Sequence, residues 1–172
     1  VLDRLLAGVP PSEKIDTSYR VLAHTRVERL HEMEYTVPAG AGGPCLREIL
    51  ETIRRERIPT IFPIESVGWI GRHLAREVQG RDGASIAIHQ FADLDYRPYF
   101  ERIEPIFWKY AGRPHWGKLH TLTAESLAPL YPHWEDFQAV REALDPTGRL
   151  LNPIFGAFWG SDRPRTIRQN ES

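Results

Sequence analysis

Cysteine is almost missing from this chain. Cys45 is the single one in 172 residues. No internal disulfide and no cysteine-based zinc site can therefore form within it. An excess of one charge is missing too. The 22 Lys and Arg face 23 Asp and Glu, for a net charge of −1. That balance gives no electrostatic footprint for nucleic acid or for an anionic membrane surface. No apolar run approaches the roughly 20 residues that span a bilayer, and no secretory leader is visible, so a cytoplasmic location is expected. No serine nucleophile elbow is present, and no histidine pair has the helical spacing of a metal site. Internal repeats and low-complexity segments are also lacking.

What is there suits one soluble domain with a real core: 41% of residues are hydrophobic and 26% charged. The chain starts at Val1 in what reads as the last turns of a helix, over residues 1–8, so a longer protein is expected. Tyr19 to Ala23 reads as a short strand. Leu30 to Val37 alternates His31, Met33, Tyr35 and Val37 with Glu32, Glu34 and Thr36, the period of a half-buried strand. An amphipathic helix is expected over 45–57, with Leu46, Ile49, Leu50 and Ile53 as its stripe. Thr60 to Ile70 reads as a strand that Pro63 makes an edge strand or a bulged one. Ala84 to Phe91 is a strand with Ile86 and Ile88 on one face and His89 on the other. A second amphipathic helix runs from Tyr96 to Tyr110, with Gly112 as its cap. A short strand is expected near Leu119 to Leu122. Ala124 to Leu130 and Trp134 to Leu144 read as helices, and Asp145 to Gly148 as a turn.

This order is the split βαβ pattern of ferredoxin-like units. It predicts an α+β fold: an antiparallel sheet with helices on one face, plus C-terminal helices. Residues 1–18 are expected to be the end of a preceding helix and a connector, 19–161 the domain, and 162–172 a frayed polar tail.

The chemistry-bearing candidates cluster around Gly112-Arg113-Pro114-His115-Trp116-Gly117-Lys118. The segment matches most of a phosphate-binding loop in letters. Leu119 stands where a hydroxyl should be, however, and Pro114 lacks the N–H that a phosphate cradle uses. Lys118 is either a solvated lysine on a turn or an ammonium held near a ligand oxygen. His89 is either an ordinary sheet histidine or a group that polarises a hydroxyl. Glu65, in apolar surroundings, is either on an open face or paired. His115, His120 and His133 carry no metal pattern.

Several pieces occur together in one family. They are Glu32 to Pro38, Phe62-Pro63-Ile64-Glu65, Gly80-Arg81-Asp82, Ile86-Ala87-Ile88-His89, Gly112 to Lys118, Tyr131-Pro132-His133-Trp134, and Leu144 through Asn152. In this order they resemble the C-terminal part of the sugar-lactone and alditol oxidases (D-arabinono-1,4-lactone oxidase-like), within the vanillyl-alcohol-oxidase-type flavoproteins. The resemblance implies a cap or substrate domain that covers the flavin of an FAD-binding domain lying upstream, with FAD held there, in some members covalently. It implies oxidation of a CH–OH group of a polyol, lactone or alcohol by hydride transfer to flavin, then reoxidation by oxygen or another acceptor. Lys118 and His89 would be the catalytic pair. Glu65 would bind substrate. Val67 stands where the family has arginine and cannot supply a guanidinium, so either Arg72 or Arg76 compensates or the substrate is less polar than a sugar lactone. His115, Trp116, Gly117, Lys118 and Asn152 would lie near the cofactor. The partners implied are the small-molecule substrate and the chain's own FAD-binding domain; apolar surface left exposed without that domain is expected to favour a homo-oligomer as well. This chain by itself would be inactive. The rival reading is a non-catalytic ferredoxin-like binding module.

Overall fold

The computed structural model describes residues 15–22, 29–60, 62–70 and 80–151. The helix expected over 1–8 and the tail beyond 161 lie outside the described residues, as do Arg72, Arg76 and Asn152. The elements are α1 (Ser18–Leu22), β1 (Leu30–Pro38), α2 (Gly42–Glu56), β2 (Glu65–Ile70), β3 (Gly83–Phe91), α3 (Arg97–Lys109), β4 (Arg113–Pro114), α4 (Ala124–Leu127) and α5 (Trp134–Leu144). Short 3₁₀ turns precede α2, at Ala39–Ala41, and follow α4, at Ala128–Leu130.

The four strands form one antiparallel sheet in the order β2-β3-β1-β4. That is the strand order of the split βαβ unit, so the expected α+β class holds. The register follows from the hydrophobic pattern. Met33 pairs with Ile88, Tyr35 with Ile86 and Val37 with Ala84. All six side chains turn to one face, where they meet Cys45 and Ile49 of α2 and Tyr99, Phe100, Ile103, Ile106 and Phe107 of α3. A slip of one residue would turn the whole set away from the helices. At the centre the Tyr35 and Phe107 rings stack at 4.7 Å.

Four expectations need correction. Within the described part of the strand expected at Tyr19 to Ala23, Ser18–Leu22 is instead a single helical turn, with the Thr17 carbonyl accepting from the Arg20 and Val21 amides. Tyr19 and Val21 are exposed, and among the described residues no strand pairs with this segment to hold an extended chain. Helix α2 begins at Gly42, three residues earlier than expected. Pro44 falls in its first turn, where a missing N–H costs no internal bond. A Cβ on Gly42 would lie 2.6 Å from the Cβ of Ala84, so only glycine lets the helix start this close to β3.

The fourth strand is not Leu119 to Leu122. It is Arg113–Pro114, inside the glycine-rich segment itself, paired to Tyr35 and Thr36. Composition argued against a strand there, but an edge position tolerates proline. Finally, the left-handed residue that ends α3 is Ala111, at φ 53°, and not Gly112. The Ala111 amide bonds the Trp108 carbonyl and the Gly112 amide bonds the Phe107 carbonyl, a Schellman closure. Gly112 is needed for space, since a Cβ there would lie 2.8 Å from the Phe107 carbonyl oxygen.

The ambiguity over Thr60 to Ile70 resolves both ways. Strand β2 starts only after Pro63, lies at the sheet edge, and shifts register between Val67 and Ile70. Pro105 sits within α3 on its exposed side, where water can take the carbonyl that the missing N–H leaves free. A second, smaller core gathers Trp116, Leu127, Tyr131 and Trp134.

Candidate functional site

The alternation that sends Met33, Tyr35 and Val37 into the core sends Glu32, Glu34 and Thr36 to the opposite face. Register then aligns them with β3: Glu32 with His89, Glu34 with Ala87, Thr36 with Ser85. Strand β2 adds Glu65 beside Ala87 and Val67 beside Ser85, and β4 adds Arg113 beside Thr36. The face away from α2 and α3 is thus a polar array. Much of it is buried nonetheless: Thr36, Ser85, His89 and Arg113 are each between 4% and 7% exposed.

The Gly112–Lys118 segment delivers Lys118 to this face. The His115 amide bonds the Glu34 carbonyl and the Leu119 amide bonds the Glu32 carbonyl, both at 2.9 Å. Four residues of the segment thus match two of β1, and the excess bulges outward as a turn closed by the Lys118 amide on the His115 carbonyl at 3.0 Å. Within the turn the His115 Nδ1 accepts the Gly117 amide at 3.1 Å. Trp116 points the other way. It is 6% exposed, its indole N–H donates to the Tyr131 hydroxyl at 2.9 Å, and its ring meets those of Tyr131, Trp134 and Phe137 edge-on. The Tyr131 hydroxyl in turn donates to the Pro114 carbonyl at 3.3 Å. Trp116 therefore anchors the turn while Lys118 stays half-buried at its end.

Two of the expected residues come together through a third. The Lys118 ammonium donates to Glu32 Oε2, and His89 Nε2 stands 3.5 Å from Glu32 Oε1. The His89 ring packs against Phe62 at 5.2 Å, and its Nδ1 is buried with no hydrogen-bond partner among the described residues. Glu34 accepts the Ser85 hydroxyl at 2.5 Å. Glu65 is exposed one row along from His89, on the edge strand. His133 lies elsewhere, paired with Asp136 at 3.0 Å on the surface. Among the described residues no group of three His, Cys, Asp or Glu converges on a metal site. None of the described helices is long and apolar enough to cross a membrane.

Two acidic residues went unnoticed as contributors. Glu32 carried a readable signal, since its alternation with Met33 put it on the polar face. Glu104 carried a subtler one: it lies within the apolar stripe of α3. It is 1% exposed and accepts from the Tyr35 hydroxyl at 2.6 Å, the Thr121 amide at 2.7 Å and the Thr121 hydroxyl at 2.7 Å. Burial, then the Glu104 charge, pushes the Tyr35 phenol up, so it stays a donor. Thr121 is three residues beyond Lys118, so this buried carboxyl pins the exit of the lysine turn to α3. At the other margin, the Arg81 guanidinium donates to the Thr36 carbonyl at 3.1 Å and the Ala111 carbonyl at 2.7 Å. Burial, then the neighbouring Arg113 charge, pulls its pKa down to about 10.

An ammonium, an imidazole with an unpartnered nitrogen and a row of carboxylates suit a neutral, hydroxyl-rich molecule. They do not suit phosphates, which the carboxylates would repel. Comparison with known proteins agrees with this chemistry. L-gulono-1,4-lactone dehydrogenase of Mycobacterium tuberculosis is 40% identical over 153 residues, 88% of this chain and 36% of the relative. L-gulonolactone oxidase of Bos taurus is 42% identical over 151 residues, covering 81% of this chain and 33% of the relative. Alditol oxidase of a Streptomyces species is 32% identical over 96 residues, 55% and 21% respectively. The chain spans about a third of the length of the curated relatives it matches over most of its own length. The model of the D-arabinono-1,4-lactone oxidase family matches residues 2–157, and the chain belongs to that family of oxidoreductases.

Proposed function

We propose that this chain is the substrate-side cap of an FAD-linked oxidoreductase that oxidises a CH–OH group of a polyol, lactone or related alcohol. The observation that carries the reading is the meeting of Lys118, Glu32 and His89 on one polar sheet face. FAD would supply the hydride acceptor. The residues present fit the ring end of such a cofactor: the His89 Nδ1 has no partner among the described residues, and the half-buried Lys118 ammonium, with three N–H donors, gives one to Glu32 and keeps others for a ligand. The FAD-binding part would come from a separate domain of the same protein, and a homo-oligomer is compatible with the exposed apolar side chains of α5 and the turn beyond it, Val140, Leu144 and Leu150.

In this reading Lys118 donates to the oxygen of the reacting carbinol and stabilises negative charge as the hydroxyl proton leaves. His89 holds or takes that proton. Glu65, exposed on the same face, accepts from further substrate hydroxyls, with Arg72 completing that subsite. His115, Trp116, Gly117 and Asn152 border the cofactor, Trp116 by holding the turn and not by its own ring. Val67, 56% exposed beside Glu65, offers no hydrogen bond, so if Arg72 does not reach this end of the subsite, it favours an alcohol with fewer hydroxyls than a sugar lactone. Apart from its partner domain the chain would be inactive.

The test is anaerobic flavin bleaching in the complete protein against polyols, lactones and hydrophobic alcohols. Lys118→Ala is expected to slow flavin reduction by about 10²–10³-fold, the usual loss for one transition-state donor, while substrate affinity changes far less. Equal reduction rates in variant and wild type would remove Lys118 from the chemistry. A complete protein that binds polyols but carries no flavin would instead be a non-catalytic binding module.

A further inference from the structure

We propose that Glu32 is a positioning residue that fixes Lys118 in place and selects the tautomer of His89. The proposal rests on the functional reading of the polar face given above. A carboxylate only accepts hydrogen bonds. Here its two oxygens are divided between two neighbours: Oε2 takes the Lys118 ammonium, and Oε1 faces His89 Nε2 at 3.5 Å. In a neutral imidazole the nitrogen that faces an acceptor carries the proton. Nε2–H therefore points to Glu32 and Nδ1 keeps its lone pair. That Nδ1 is buried without a partner among the described residues, and Phe62 lies against the ring at 5.2 Å and resists its turning over.

Burial orders the three groups. Side-chain exposure falls from 30% at Lys118 to 25% at Glu32 and 6% at His89. Lys118 and Glu32 are thus partly open to solvent, and the imidazole lies deepest. Among the described residues Glu32 alone forms an ion pair with Lys118. Without it, a flexible four-carbon stem would spread the ammonium over many rotamers. Glu32 also holds the lysine turn by its backbone, since its carbonyl accepts the Leu119 amide at 2.9 Å. One residue thus sets both the place of the turn and the aim of its side chain.

Two measurements test this. In the wild-type chain, nitrogen-15 shifts of the His89 ring are expected to show the Nε2–H tautomer. An Nδ1–H tautomer would overturn the proposal without any variant. In Glu32→Met, which keeps the side-chain length but removes both acceptors, that preference is expected to be lost. In the complete flavoprotein the same variant should reduce flavin roughly 10- to 100-fold more slowly, as displacement of a reacting group does, with substrate affinity little changed. Glu32→Gln, which keeps one acceptor, should fall between, and serves if the Met variant does not fold. A wild-type reduction rate in Glu32→Met beside a slow Lys118→Ala would sink the positioning role and leave the function standing. Wild-type rates in both would overturn the functional reading of this face and the positioning role with it.

Discussion

His120 and Glu104 show how single buried polar groups hold the segment that follows Lys118. Glu104 collects three donors, two of them from Thr121. His120, next to Thr121, is held below the ordinary histidine range because burial disfavours its charged form, partly offset by the Glu104 charge. The consequence for stability has a definite sign. The unfolded chain takes up a proton on His120 more readily than the folded one, so stability falls as pH drops through about 6.5, the unfolded histidine value. The loss levels off once the folded form protonates as well. Denaturant titrations from pH 8 to 5 are expected to show this slope in the wild type and a shallower one in His120→Gln. The window lies well above that of the carboxylates whose pKa is lowered, Glu48, Glu56 at about 2 and Asp145, whose contribution is lost only at more acid pH. Cys45 takes no part in such chemistry. It is fully buried and its thiol is pushed up to about 12 by burial, then by Glu48, which keeps it protonated and unreactive.

At the scale of elements, the end of α3 explains both a misreading and an opportunity. The glycine in Ala111-Gly112 drew attention as the helix cap, because glycine is the usual left-handed residue. Tyr35 and the Phe107 carbonyl crowd Gly112 instead, so glycine is used there for space and Ala111 takes the left-handed angle at φ 53°. An L-residue in that region costs roughly 1–2 kcal/mol. Ala111→Gly is therefore expected to stabilise the chain by about 1 kcal/mol, net of the extra entropy of glycine when unfolded. A raised denaturation midpoint with an unchanged slope would show it. The hydrogen bonds from Arg81 to the Ala111 carbonyl and from the Ala111 amide to Trp108 are backbone contacts and survive the change. Strand β4 teaches the same lesson. Its two residues were hidden in a segment of loop composition, and pairing with β1, not propensity, makes them a strand.

For the whole molecule, the decisive feature is that two cores meet at the lysine turn. The larger lies between the sheet and the helices α2 and α3. The smaller joins Trp116 to Leu127, Tyr131 and Trp134. Trp116 belongs to the turn yet is buried in the smaller core, so it links the C-terminal helices to the edge of the sheet. Trp116→Ala is expected to cost about 3–5 kcal/mol, as large buried aromatic truncations do. Hydrogen exchange should show residues 124–144 losing protection while β1 and β3 keep theirs. Equal loss in both regions would mean that the two cores unfold as one unit.

By itself the sequence determined the strands β1 and β3, both long helices, the antiparallel α+β order and the side of the sheet on which His89 lies. These are local, because apolar residues at period 2 or 3.6 record which side of an element is buried. It also determined the family, through short motifs kept in order. Tertiary structure alone decided what depends on residues far apart in the chain. It turned Arg113–Pro114 into the fourth strand, assigned the left-handed angle to Ala111, and drew Glu104 into the core as the partner of Tyr35 and Thr121. It also set Glu32 between Lys118 and His89. No periodicity announces that last contact: Lys118 is 86 residues from Glu32, and only the pairing of β1 with both β3 and the lysine turn brings all three side chains onto one face.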